Sequence, residues 1–427
     1  MIPGGVNSAT RRIGPPWAFD SARGARVVDL DGRDYLDFHA AFGAVLLGHA
    51  DERVARPAAA AAARMDLVGL GVTALEVELA ELVVEAIPCA EMTISTMSGS
   101  EAVAQAVRLA RAVTGRRRIL KFQGCFHGSY DAVARNVISP PERTGRWDPL
   151  SSGILPDALE HTLVAEFNDL ASVQSLLEEH SGEVAAVLLE PTPHNVGALL
   201  PEPGFLEGLR ELSSQHGALL VFDEVISGFR HALGGFQELS AVTPDLTTFG
   251  KAVGNGYPIA GLAGRADLLS EFSSAGGPVM LAGTFNGTAS ATAAAIATIS
   301  VLKDPEVAFY EHVYGLGDRM RAGLREITGD LGVPATTTGL GSVFVTYFLD
   351  GPVRSYRDLL RNDDHAYLTF HRRMSERGFL MYPMALKRNH LSLAHTADDV
   401  DRTLEVADQV LRVMLRDGDL AGAERAR

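Results

Sequence analysis

Leu219-Leu220-Val221-Phe222-Asp223-Glu224 is a run of four apolar residues closed by two acids. A strand with no polar face belongs in a sheet covered on both sides. Similar runs stand at Arg118-Ile119-Leu120-Lys121-Phe122 and Ala185-Ala186-Val187-Leu188-Leu189. Helical stretches separate them. Thr73-Ala74-Leu75-Glu76 reads as a capping box opening a helix to about Ile87. Further helices are predicted over Ser98 to about Thr114, Phe205 to His216, and the Ala-rich Thr288 to Leu302. This alternation predicts an α/β fold with a mainly parallel sheet, in a large domain over 51–305. Outward on one side, Asp31-Gly32 between two extended runs predicts a hairpin. Outward on the other, amphipathic helices (306–327, 364–377, 397–415) and strands near 343–349 and 391–395 predict a smaller α+β domain over 306–427. Residues 1–50 are assigned to the smaller domain as its N-terminal segment. The Pro-, Ser- and Gly-rich stretch 139–153 is a long loop of the kind that serves as a lid.

The chain has 427 residues, 53 acids against 38 bases, and a formal charge of −15. That balance argues against a nucleic-acid binder, which needs a basic surface, and disfavours an anionic membrane. No run is apolar and long enough to span a bilayer. Two cysteines, Cys89 and Cys125, build neither a disulfide framework nor a zinc cluster. A cytoplasmic location is expected. Only four lysines occur, at 121, 251, 303 and 387.

The acids ending the strand 219–224 admit several readings. A Walker B strand needs a G-x-x-x-x-G-K-[ST] loop, and none is present. A ribose-binding acid needs G-x-G-x-x-G about twenty residues earlier, which is missing. A carboxylate facing a cationic ring and a purely structural acid remain. Ser98-Gly99-Ser100-Glu101 starts a helix, as a capping box or as a seat for an anion on free N–H groups. Phe249-Gly250-Lys251-Ala252-Val253-Gly254-Asn255-Gly256 surrounds a lysine with glycines, as if it must reach into a confined site. Lys121 and Lys303 lie in contexts that read as open. Lys387, in Lys387-Arg388-Asn389-His390, faces either solvent or a substrate acid. Cys125-Phe126-His127-Gly128 follows a strand and offers an aromatic ring beside a histidine. An anion seat, a stacking ring, a strand-end carboxylate and an enclosed lysine together fit pyridoxal 5'-phosphate. The lysine would form a Schiff base, and the carboxylate would keep the ring nitrogen protonated.

Asp223-Glu224-Val225-Ile226-Ser227-Gly228-Phe229-Arg230 resembles the D-E-V-x-x-G-F-R stretch of class III aminotransferases. Ser98 to Ala102 resembles their S-G-[TS]-E-A segment, Ile119 to Gly128 their strand leading to C-[YF]-H-G, and Phe249-Gly250-Lys251 their cofactor lysine. Within that family, Pro3 to Ser8, Gly277 to Thr284 and Ser392 to Thr396 are similar to the glutamate-1-semialdehyde 2,1-aminomutase branch. The resemblance runs from residue 3 to about 410. It implies fold type I and a homodimer with active sites shared between subunits. By position it makes Lys251 the Schiff-base lysine and Asp223 the partner of the ring nitrogen. Val225 packs behind the ring, with Phe126 in front and His127 beside it. Gly99 and Ser100 hold the phosphate, and Thr284 comes from the other subunit. Glu190 and Asn195 lie near the 3-hydroxyl, while Ser8 and Arg11 meet the substrate carboxylate.

Departures from the aminomutase pattern bear on the reaction. Lys387 stands where that branch has an acid, Phe126 replaces its tyrosine, and the lid region carries Arg143-Thr144-Gly145-Arg146-Trp147. The branch's usual first helix is absent before Pro3, which points to a start upstream. The expected reaction is amino-group transfer between an amino acid or amine and a keto or aldehyde acceptor, with Lys387 as a substrate contact. The alternative is the aminomutase-type isomerisation. A non-catalytic binding protein is disfavoured by the intact Lys251 and Asp223.

Overall fold

The structure is a computed structural model and describes residues 1–14 and 16–420. The last seven residues of the expected C-terminal domain lie outside the described residues. At its centre is a seven-stranded sheet in the order Met92–Thr96, Ala260–Gly264, Leu246–Phe249, Leu219–Glu224, Val184–Leu189, Arg118–Phe122, Thr162–Ala165. The last five of these run parallel. Ala260–Gly264 is antiparallel to both neighbours. Every residue of Val184–Leu189 is buried, as its unbroken apolar run requires.

The helices that cover the sheet begin where local chemistry sets them. Thr73 Oγ1 accepts the Glu76 N–H at 3.2 Å, and Glu76 Oε2 accepts that of Thr73 at 2.8 Å. This reciprocal cap opens Ala74–Ala86. The helix Gly99–Thr114 is capped by Ser98, but the box expected there is not reciprocal. Glu101 Oε2 reaches one residue further back, to the N–H of Met97 at 2.8 Å.

The Asp31-Gly32 turn joins Arg26–Asp29 to Asp34–Asp37 as an antiparallel pair, with Gly32 at φ +79°. Phe19–Arg23 extends this sheet on one side and Phe379–Leu380 on the other, so early and late segments share it. Long helices form over Phe309–Asp330, Asp364–Ser375 and Ala397–Asp417. The strand expected at 391–395 does not form. Only Asn389–His390 pairs with Val343 and Phe344. Beyond it, His395 Nδ1 takes the Ser392 N–H at 3.0 Å, turning the chain instead of extending it.

The loop 139–153 is tied down along most of its length. Gln123 Oε1 accepts the Gly145 N–H at 3.1 Å, and Asn136 Nδ2 donates to Arg146 O at 2.8 Å. Asn136 N donates to Asp148 O, and Leu150 N to Ala134 O. Exposed runs remain at Pro141 to Arg143, Gly145 to Trp147 and Leu150 to Gly153, between buried anchors at Thr144 and Asp148. No helix among the described residues is long and apolar enough to cross a membrane.

Candidate active site

Parallel strands place their ligands beyond their carboxyl ends. Here four such ends converge. Phe126 and His127 follow Arg118–Phe122, Glu190 follows Val184–Leu189, Asp223 closes Leu219–Glu224, and Lys251 follows Leu246–Phe249. With Gly99, Ser100 and Val225 they line one cavity of about 320 Å³. Met97 and Gly256 to Ile259 form part of its wall.

At one end the helix Gly99–Thr114 points its N-terminus into the cavity. Its first N–H groups have no partner within the helix and carry the positive end of its dipole, which favours an anion. Close packing leaves room for nothing larger than glycine beside it. A Cβ on Gly99 would lie 2.8 Å from Val225 Cγ1, and one on Gly128 would collide with Ser100.

Asp223 is held on three sides. His127 Nδ1 lies 2.7 Å from its Oδ2, while Thr248 Oγ1 at 3.0 Å and the Val225 N–H at 3.2 Å donate to its Oδ1. Register makes this possible, because Asp223 and Thr248 are paired on adjacent strands. Burial pulls the His127 imidazole below its ordinary value despite the carboxylate, so the ring is neutral with its proton on Nδ1. Its Nε2 is buried and has no partner among the described residues.

Lys251 sits in left-handed backbone at φ 44°, a conformation that a non-glycine residue holds only when its surroundings impose it. Its loop is braced by Asn255, whose Oδ1 accepts the N–H groups of Leu46 and Leu47 at 2.8 and 2.9 Å. Burial, and then the cationic Arg388, pull the Lys251 ammonium down to about 8. Glu190 is the complement. Burial and the neighbouring Asp223 push it up to about 7, although it accepts the Phe126 N–H at 2.8 Å and the His194 N–H at 3.0 Å.

Asn195 and Lys387 are buried together beside this cavity. Lys387 Nζ donates to Asn195 O and Oδ1, each at 2.6 Å, so it does not face solvent. Burial and Arg388 pull it down to about 7. Ser8 and Arg11 lie elsewhere, on exposed turns near the N-terminus, with Arg11 close enough to His39 to disfavour its protonation. Thr284 is also apart, exposed on a second cavity of about 420 Å³ that Met65 to Gly71 also line.

Arg388, noted in the sequence only as the neighbour of Lys387 in the substrate pocket, and a buried histidine pair were given no role of their own there. Arg388 is 4% exposed, donates to Phe42 O at 3.1 Å, and leaves its Nε without a partner. His194 and His231 form a buried pair with Nε2 atoms 2.9 Å apart. One correction concerns Lys121, read above as open. It is wholly buried, because the loop after its strand folds back over the ammonium and supplies two carbonyls.

The residues present fit pyridoxal 5'-phosphate. An anion seat, an aromatic face at Phe126, a strand-end carboxylate and a buried amine border one cavity, and His127 Nε2 waits there for a hydrogen-bond partner. Fold and site together define a fold-type-I enzyme that works with this cofactor. The chain matches the family model "Aminotransferase class-III" over residues 9–411 and belongs to that family. It is 41% identical over 415 residues to the glutamate-1-semialdehyde 2,1-aminomutase of Desulforudis audaxviator, covering 96% of this chain and 95% of that one. Among solved structures it is similar to an omega-transaminase from Sphaerobacter thermophilus, at TM-score 0.90 and 34% identity, covering 96% and 94% of the two chains. It is also similar to a transaminase with PLP bound, at TM-score 0.88 and 29% identity, covering 98% and 96%.

Proposed function

We propose that the enzyme moves an amino group from a carboxylate-bearing amine to a separate keto or aldehyde acceptor, in two independent halves. The observation that carries this is the charge on the substrate side. Arg388 is buried, close enough to Lys251 to lower its pKa, and pairs with no carboxylate among the described residues. Lys387 beside it likewise has only amide and carbonyl oxygens. Glu190 attracts both side chains but forms an ion pair with neither, and a substrate carboxylate is the partner that offsets the remaining cost of burying them.

Bound in the cavity, pyridoxal 5'-phosphate supplies an aldehyde carbon and an electron-accepting ring. Gly99 and Ser100 N–H groups would hold its phosphate, Phe126 and Val225 would pack on its ring, and Glu190 and Asn195 would serve its 3-hydroxyl. Asp223 would keep a proton on the ring nitrogen, and His127 and Thr248 fix the carboxylate in place. Lys251 Nζ would hold the cofactor's aldehyde carbon and, once freed, would move a proton to and from the donor's amino-bearing carbon. A depressed pKa keeps part of this amine neutral near neutral pH, as a base requires. The resemblance also assigns Ser8 and Arg11 to the substrate carboxylate, a contact that requires the N-terminal segment to move from its exposed turns toward the cavity.

We further infer a cytoplasmic homodimer in which Thr284 reaches the phosphate of the other subunit. Exposed apolar residues near Thr284 in the chain or on its cavity, namely Val68, Leu70, Met280 and Phe285, suit an interface. Sedimentation coupled to an activity assay tests this, and an active, stable monomer would contradict it.

The second reading is the aminomutase isomerisation, favoured by the name of the 41% identical relative. The ω-transaminase likeness and the cationic substrate side favour transfer. A panel of α- and β-amino acids, read through loss of the cofactor's visible absorbance, tests transfer. Bleaching by carboxylate-bearing donors supports it, and indifference to the whole panel opposes it.

A further inference from the structure

Lys121 has no carboxylate partner among the described residues, yet it is fully buried. Its Nζ donates to the carbonyls of Cys125 at 2.9 Å and Arg135 at 2.5 Å. An ammonium held only by carbonyls is an expensive way to fill a core position, and an apolar side chain of this size would fill it more cheaply. The arrangement gains meaning from what the first carbonyl belongs to. The Cys125 oxygen and the Phe126 N–H are the two ends of one peptide unit. That N–H donates to Glu190 Oε1 at 2.8 Å. A single planar peptide is therefore gripped at its oxygen by a cation and at its hydrogen by a carboxylate. Because the unit is rigid, fixing both ends fixes its plane. The plane in turn sets the direction in which the next two residues leave the strand end. Those residues are Phe126 and His127, and His127 goes on to Asp223. The second bond, to Arg135, closes the far end of the same loop.

We propose that Lys121 is a positioning residue of the active site, clamping the Cys125–Phe126 peptide against Glu190 and so setting the Phe126 ring and the His127–Asp223 bond. This rests on the reading of Phe126 and His127 as cofactor contacts. Lys121 itself touches neither cofactor nor substrate. Its effect is transmitted through one peptide, and it differs from ordinary core packing in acting on the cofactor's surroundings.

The test compares wild-type holoenzyme with Lys121→Met, which keeps length without charge, and Lys121→Gln, which keeps an N–H donor. The probe is pyridoxal 5'-phosphate alone. Its visible circular dichroism and its retention on dialysis are read beside the thermal midpoint. A mispositioned site loses on the order of tenfold to a hundredfold in binding or rate. Lys121→Met should fold, show an altered visible dichroic band, and retain the cofactor about tenfold more weakly, with partial recovery in Lys121→Gln. A lowered thermal midpoint with native dichroism and retention would overturn the proposal. So would failure of both variants to fold, which makes Lys121 a core residue and nothing more. Wild type that captures no pyridoxal phosphate would end the cofactor reading itself, whereas variants that match a cofactor-binding wild type end the positioning role alone.

Discussion

His127 Nδ1 lies 2.7 Å from Asp223 Oδ2, both side chains buried at the floor of the cavity. The imidazole spends its single proton on the carboxylate, so it orients Asp223 without neutralising it. Asp223→Asn keeps the size but loses the charge that stabilises a protonated ring nitrogen. It should retain the fold and the cofactor while turnover falls by on the order of a hundredfold or more. Steady-state kinetics beside a thermal melt checks this, and near-normal turnover would remove Asp223 from the mechanism.

The depressed Lys251 value predicts how the apoprotein captures its cofactor. Only the neutral amine attacks the aldehyde, and the group becomes neutral as pH rises through about 8. The capture rate should rise with pH and level off above about 8, well before an unperturbed lysine would level. Stopped-flow absorbance measures it. Lys251→Ala should show no covalent capture at any pH, and borohydride reduction followed by peptide mapping should find the cofactor on Lys251 in wild type alone.

In the proposed transfer, Arg388 and Lys387 would receive the donor's carboxylate. Arg388→Met should raise KM for carboxylate-bearing donors about tenfold to a hundredfold, the range of a desolvated charge-assisted contact. Lys387→Glu should weaken the same donors and leave cofactor retention intact. An unchanged donor preference in both variants would mean these cations serve the fold, Arg388 by holding Phe42 O and Lys387 by holding Asn195.

Gly128 combines φ +91° with a packing surface against Ser100. Gly128→Ala is strained by both, so a stability loss of about 1–3 kcal/mol is expected. Cofactor affinity should drop with it, because Ser100 belongs to the proposed phosphate seat. Thermal melts with and without pyridoxal phosphate separate the two effects. A cofactor-induced stabilisation equal to that of wild type would place the phosphate elsewhere.

Much of this was legible in the sequence because it is local. The Thr73–Glu76 cap, the Asp31-Gly32 turn and the apolar strand ending at Asp223 each follow from a few neighbouring residues. Lys251 stood out because lysines are scarce and glycines surround it. What was missed depends on the folded chain. Nothing next to Lys121 in sequence announces that Cys125 and Arg135 fold back over it. Arg388 lies among polar neighbours, and its burial follows only once the adjoining Asn389–His390 pairs with Val343 and Phe344. The false strand at 391–395 has the same origin, since a side chain three residues away takes the backbone N–H that a ladder would need.

Transfer in two separable halves is the claim on which the rest depends. The direct measurement exposes holoenzyme to a carboxylate-bearing donor alone, removes the donor, and then adds a keto or aldehyde acceptor. The expected result is one keto product per site in the first step, with loss of the visible absorbance, and full recovery of that absorbance in the second. Rapid conversion of glutamate 1-semialdehyde to 5-aminolevulinate with no added donor, together with no response to any separate donor, would contradict it.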